Sequence, residues 1–454
     1  MRKGAALAMA AALALPALPA PAAAQAGKLP LIRDAEVEQL IRDYLAPILK
    51  AGGLNQGSVE VVLVNNRNYN AFVADGTRMF INTGVLVEAD TPNEVIGVMA
   101  HETGHIVGGH LARLRDAIAR AQTIAVIGGL LGIAGAVAGA ATGSGNAAQG
   151  GFATAMASGA AAQRTLLAYQ RTEELSADRA GITLLEKTGQ SGRGMLKTFR
   201  RFADQMLISS RLADPYAQSH PMPRERISQL ETLVEASKFA AAVDSPALQL
   251  RHDMMRAKLV AFLDGATGVA RRWGAADQSM PARNARAILA YRFGNPVEAG
   301  RQIDALIQAQ PNNPYFHELR GQALLESGRA REALAPLRRA VALAPNQPLI
   351  RAMLGQALVG TNDPAHVDEA IRELTVGIAR EKLGAGAAYR QLAIAYARKG
   401  DTGMADLMIA QGLFAEGAIP DARAMANRAQ ANLKQGSPGW LRADDIISYK
   451  PPQL

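Results

Sequence analysis

His101-Glu102-Thr103-Gly104-His105, inside the apolar run that starts at Thr91, is the stretch whose reading decides the fold. Residues four apart on a helix lie one above the other on a single face. His101 and His105 therefore aim two imidazoles at one point, at a spacing that suits a tetrahedral Zn²⁺. Glu102 lies beside them, placed to take a proton from a metal-bound water rather than to ligate. Thr91-Pro92-Asn93-Glu94 reads as a capping box with proline at the first helical position. Val95, Ile96, Val98 and Met99 carry the apolar face into the motif, so a helix begins where the chemistry needs one.

Downstream, Leu166 to Ala180 is helical in pattern and holds Glu174 and Asp178, two carboxylates four apart. Glu174 completes a His₂Glu metal set that leaves a fourth position for water. Asp178, one turn on, is placed to accept from the free N–H of a ligating imidazole. Glu173 is the rival ligand, but no carboxylate follows it by four. A third histidine ligand six residues after His105 is excluded by counting, because that position is Leu111. His110 lies one residue short, about 140° round a continuous helix from His105, and reads as a polar helix residue. Further on, His220 and Arg226 could each reach a carbonyl oxygen as it becomes an oxyanion. His220 could instead be a fourth ligand in a resting form.

Before the motif, residues 28 to 50 form an amphipathic helix with Ile41, Tyr44, Leu45 and Leu49 on one face. Val59, Val61 to Val64, Ala71 to Val73 and Met79 to Ile81 read as strands, with Asp75-Gly76 as a hairpin turn. The expectation is a small antiparallel sheet, with Asn70-Ala71-Phe72 as an edge that holds a substrate backbone by strand addition.

From Ala121 to Gln163 no residue is charged. Ligands on both sides of this stretch must meet at one metal, so a single membrane crossing is ruled out. A hairpin that covers the active site, or one that dips into a membrane surface, fits better, with a pair of buried core helices as the alternative. The first 26 residues, with Arg2, Lys3 and the apolar Ala5 to Leu15, have the layout of a secretory leader. The expected location is the periplasm, free or peripheral to the outer membrane. Cysteine is absent, so metal must be held by His, Asp or Glu. The net charge of +9 favours lipid headgroups. Scattered basic residues and few aromatics argue against nucleic acid.

In the second half Ala299 and Ala333, Gly321 and Gly355, and Pro311 and Pro345 are each 34 apart. That period, with small residues at helix contacts and proline after the second helix, is the tetratricopeptide signature. Four units fit between about residues 280 and 415, with an insertion near Asp363, and stacked pairs make a groove for a partner.

Taken jointly, His101-Glu102-x-x-His105, Glu174-x-x-Ala177-Asp178 and His220-Pro221-x-x-x-x-Arg226 resemble the zinc metallopeptidase family of the CAAX prenyl protease and HtpX. The soluble periplasmic branch, with repeats after the peptidase, matches better than the integral membrane relatives. The resemblance implies a gluzincin-type peptidase, mainly α with a small antiparallel sheet, followed by a tetratricopeptide α-solenoid. The expected layout is a signal peptide (1–26), a zinc metalloprotease domain (27–265), repeats (270–436) and a tail (437–454). One Zn²⁺ per chain is expected, with Glu102, Asp178, His220 and Arg226 as catalytic residues. The resemblance further implies quality control of unfolded outer-membrane proteins, with the repeats recruiting substrate or the outer-membrane assembly machinery. The rival reading is a periplasmic chaperone or scaffold whose zinc is mainly structural.

Overall fold

The computed structural model describes residues 30–74, 76–141, 145–208, 220, 224–381 and 385–451. The leader, Asp75, the loop at Ala213 to Tyr216 and Pro221 lie outside the described residues.

A short strand β1 (Leu31–Ile32) leads into helix α1 (Ala35–Ala51). Asp34 caps α1 by accepting from the Val37 N–H, and Ile41, Tyr44, Leu45 and Leu49 are buried as expected. Strands β2 (Glu60–Val64), β3 (Ala71–Ala74) and β4 (Arg78–Asn82) complete a four-stranded sheet of order β1-β2-β4-β3. It is mixed, not antiparallel. The β3–β4 hairpin forms as predicted, with Phe72 stacked on Phe80, but β2 runs parallel to β4. Burial explains the order. Val62 to Val64 and Met79 to Ile81 are buried and take the centre, whereas most of β3 is only half-buried and goes to the edge.

Helix α2 (Thr83–Glu88) follows, held to the 66–68 loop by Thr83 Oγ1 and the Gly84 N–H, which both donate to Asn66 O. Helix α3 (Pro92–Gly108) carries the motif. Only half of its predicted capping box forms. Glu94 accepts from the Asp90 N–H and the Thr91 hydroxyl, and Lys197 completes its buried carboxylate, but Thr91 makes no capping bond. Two long antiparallel helices, α4 (His110–Ala141) and α5 (Gly145–Lys187), leave the body as a hairpin. Helices α6 (Arg193–Ile208), α7 (Arg224–Ala236), α8 (Pro246–Leu263) and α9 (Gly265–Arg272) close the N-terminal half.

Ten further helices follow in antiparallel pairs: α10 (Met280–Phe293) with α11 (Pro296–Ala309), α12 (Pro314–Glu326) with α13 (Ala330–Leu343), α14 (Pro348–Gly360) with α15 (Val367–Arg380), α16 (Gly386–Lys399) with α17 (Thr402–Ala415), and α18 (Ile419–Asn432) with α19 (Pro438–Ser448). Gly294, Gly328 and Gly400 fall at turns within pairs, and the insertion near Asp363 is a 3₁₀ turn. The expected tail is helical and buries Ala443 and Ile446. One apolar core runs from Val37 through the α3 face to Ala323 on α12, and a second fills the later pairs. The expected boundary at 265–270 lies within α9, and the first core continues across it.

Candidate metal centre

Close approach of α3 and α5 makes the centre. A Cβ on Gly104 would lie 2.8 Å from Ala177 O, and one on Gly181 3.2 Å from the His101 N. The two glycines thus let the helices touch backbone to backbone, which brings Glu174 and Asp178 beneath the imidazoles. His101, Glu102, Glu174 and Asp178 are almost completely buried.

His101, His105, Glu174 and His220 offer ligand atoms that all lie within 4.8 Å of one another. His101 Nε2 and His105 Nε2 are 3.1 Å apart, and each is 3.4 Å from a Glu174 oxygen. Donors round a tetrahedral ion with bonds of about 2.0–2.2 Å are separated by roughly 3.3–3.6 Å. The tautomers fit as well. His101 Nδ1 is 2.9 Å from Asp178 Oδ1, so its proton sits there and the Nε2 lone pair is free. On the other side His110 Nε2 is 2.9 Å from Glu173 Oε2, and its Nδ1 is 2.9 Å from His105 Nδ1. If the His110 proton goes to Glu173, its Nδ1 accepts from His105 Nδ1–H and the His105 Nε2 lone pair is also free. Two lone pairs at 3.1 Å repel unless a proton or a metal ion lies between them. The donor set fits a divalent ion.

The electrostatics agree. Burial works against a charged His101, but hydrogen bonds to Asp178 and Glu174 lift it to about 9, so the pocket favours positive charge at that point. Burial and the charge of His101 hold His105 well below its usual range. Despite burial, His220 and His101 keep Glu174 well below the ordinary carboxylate range. Burial raises Glu102, against the pull of His220 and His101. Glu102 takes a backbone hydrogen bond from Val73 of β3, while its Oε1 is buried with no hydrogen-bond partner among the described residues. The edge strand and the motif therefore meet at this carboxylate. Ala71 is buried and pairs with Ile81, and Asn70 precedes the strand.

His220 Nδ1 is 2.8 Å from Glu174 Oε1, and its Nε2 is 3.8 Å from Glu102 Oε1. Arg226 is not where an oxyanion donor is expected. Its guanidinium grips Asp178 through Nε and Nη2, both at 2.8 Å, and reaches Glu174 Oε2 at 2.8 Å. It is 2% exposed and stacks on Phe199 at 5.5 Å, so it orients carboxylates. His110, read from the sequence as an ordinary polar residue, is 4% exposed and bonded to His105. Glu173, the rival ligand, serves His110 and Arg113 instead.

Fold and site together define a metalloendopeptidase. Residues 32–234 match the model of peptidase family M48. The chain is similar to the beta-barrel assembly-enhancing protease of Escherichia coli (strain K12), at 24% identity over 430 residues, 93% of this chain and 84% of that protein. The protein of that name from Yersinia pestis is 24% identical over 427 residues, 92% of this chain and 84% of its own length. A putative beta-barrel assembly-enhancing protease from Vibrio cholerae is 28% identical over 205 residues, 45% and 39% of the two chains.

Proposed function

We propose that the protein is a periplasmic zinc endopeptidase of outer-membrane protein assembly, which cleaves unfolded or misassembled chains. The observation that carries this is the pair of imidazoles locked by Asp178 and His110 with their Nε2 atoms turned to one point above Glu174. His101, His105 and Glu174 would hold the ion. When bound by these residues, zinc would supply Lewis-acid polarisation of a water molecule and of the scissile carbonyl. Glu102, lifted by burial and with a free oxygen, accepts the proton of the attacking water and passes it to the leaving amine. Asp178 orients His101, and Arg226 orients Asp178 and Glu174 in turn. His220 Nε2, facing Glu102, is the donor for the developing oxyanion. The free edge of β3, beside the Val73–Glu102 contact, takes the substrate backbone as an added strand. Paired helices from residue 270 to 436, at a 34-residue period, act as tetratricopeptide repeats that recruit substrate or the assembly machinery. The name of the similar proteins supports this reading, as does the leader-like composition of residues 1–26.

His220 within the four-donor cluster favours a second, resting arrangement in which it fills the position that water needs. Activity then requires its displacement. Glu102→Gln is expected to retain one zinc per chain and to lose cleavage of an unfolded outer-membrane protein by at least about 10²–10⁴-fold. Undiminished cleavage by a metal-loaded Glu102→Gln protein would refute the mechanism. Full rescue of outer-membrane assembly by that inactive form would favour a scaffold.

A further inference from the structure

We propose that the end of the α4–α5 hairpin inserts into a lipid bilayer with anionic headgroups, so that the peptidase sits on a membrane surface. Two contacts fix the register of the hairpin. Arg113 bonds Glu173 at 2.6 Å, and Gly128 abuts Ser158 so closely that a Cβ on the glycine would overlap it. Between these points each step up α4 matches one step down α5. Arg115 therefore stands level with Arg171, and Arg120 within about 3 Å of the level of Arg164 at 1.5 Å per residue. These four arginines are exposed, and among the described residues none makes an ion pair. They form a basic collar on which only Asp116 and the engaged Glu173 are acidic.

Above the collar the character changes at once. Val126, Ile127, Leu130, Leu131 and Val137 on α4 and Met156 on α5 are all more than half exposed. At 100° per residue the α4 positions spread over more than a third of the helix, on the side turned away from Gly128 and α5. No water-facing stripe opposes them, so the helix is unsuited to lying flat on a surface, where one face stays polar. Among the described residues this is the one helix long and apolar enough to cross a membrane (His110–Val137), and only 11% of its most apolar window is buried. The hydroxyls of Thr123, Thr154 and Thr165 each donate to the carbonyl four residues back, which removes their need for water. Ala121 to Val137 makes about 25 Å of helix, close to the ~30 Å of a hydrocarbon core. Both ends of the hairpin return to the same side, so the centre stays whole. Packing of α4 is on α5, with a small contact to the end of α3, which is the arrangement of a projecting arm and not of a lid.

The test uses the full chain with vesicles of phosphatidylcholine alone or mixed with phosphatidylglycerol. Leu131→Trp is expected to shift its emission to the blue and to be quenched by brominated acyl chains, with mixed vesicles only or far more strongly. Leu130→Glu with Leu131→Glu should cut vesicle binding at least ~10-fold while metal content and peptidase activity on a soluble peptide stay unchanged. Arg115→Gln with Arg164→Gln should weaken binding to anionic vesicles and remove its salt dependence. An unshifted tryptophan in a folded protein would overturn the proposal. So would undiminished binding of the double-Glu variant, or burial of the tip in a dimer that ignores lipid. Because none of these readings needs the metal, failure here leaves the catalytic reading untouched, and the reverse also holds.

Discussion

At the scale of the residue, His110 shows what local geometry adds to spacing. His101, Glu102 and His105 were legible because a continuous helix fixes their angles, and Glu174 and Asp178 because the same four-residue step repeats on α5. His110 was not, since its angle was counted along a helix that in fact ends. Gly109 adopts φ 65° and stops α3, and His110 begins α4 with its ring folded back toward His105. Gly108 leaves the space, because a Cβ there would overlap the His110 ring. His110→Ala is therefore expected to weaken zinc binding by about 10–100-fold, as removal of an imidazole's outer partner does. Competition with a chromophoric chelator measures this directly, and an unchanged affinity would show the His105–His110–Glu173 chain to be idle. Arg226 was misread for a related reason. Sequence order placed it near the site, but only the packing of α7 on α5 shows that Asp178 and Glu174 claim its guanidinium.

Elements were easier to read than their pairings. Three of the four strands and most helices could be seen in apolar runs, turn residues and caps, but β1 was hidden in the stretch read as the first helix. The partner of β2 could not be seen, because both central strands are continuous apolar runs that fit either direction. The contact between α3 and α5 was equally silent, since it rests on Gly104 and Gly181, which carry no periodic signal. It is also the contact on which the centre depends. Gly104→Val would push branched methyls into Ala177 and Ala180. Overpacking of this kind costs about 1–3 kcal/mol. The expected result is a lower Tm together with loss of bound metal, because Glu174 and Asp178 move away with α5. A variant that unfolds at a lower temperature but keeps its full zinc affinity would place the ligand geometry elsewhere than in this helix contact.

Across the whole molecule, the start of the chain joins the peptidase core to the paired helices through buried charge. Lys258 on α8 holds Asp34 at 2.7 Å and Glu36 at 3.3 Å, and Arg33 pairs with Glu38 and with Glu381 at the end of α15. Glu318 on α12 faces the same cluster. Burial pushes it up to about 8, against the attraction of Lys258 and with help from Asp34 and Glu36. A carboxyl that titrates near 4.5 when unfolded and near 8 when folded binds more protons in the folded state between those values. Stability from this group is thus fully present below about 4.5 and falls as pH rises toward about 8. Glu36, also raised by burial, acts in the same direction. Glu318→Gln keeps the shape and removes the titration. Urea unfolding at pH 5.5 and pH 8 is expected to show the native chain losing roughly 1–4 kcal/mol more than the variant over that interval. Equal losses in the two proteins would mean that Glu318 is already ionised in the folded state at pH 5.5, and that burial against Asp34 and Glu36 does not raise it.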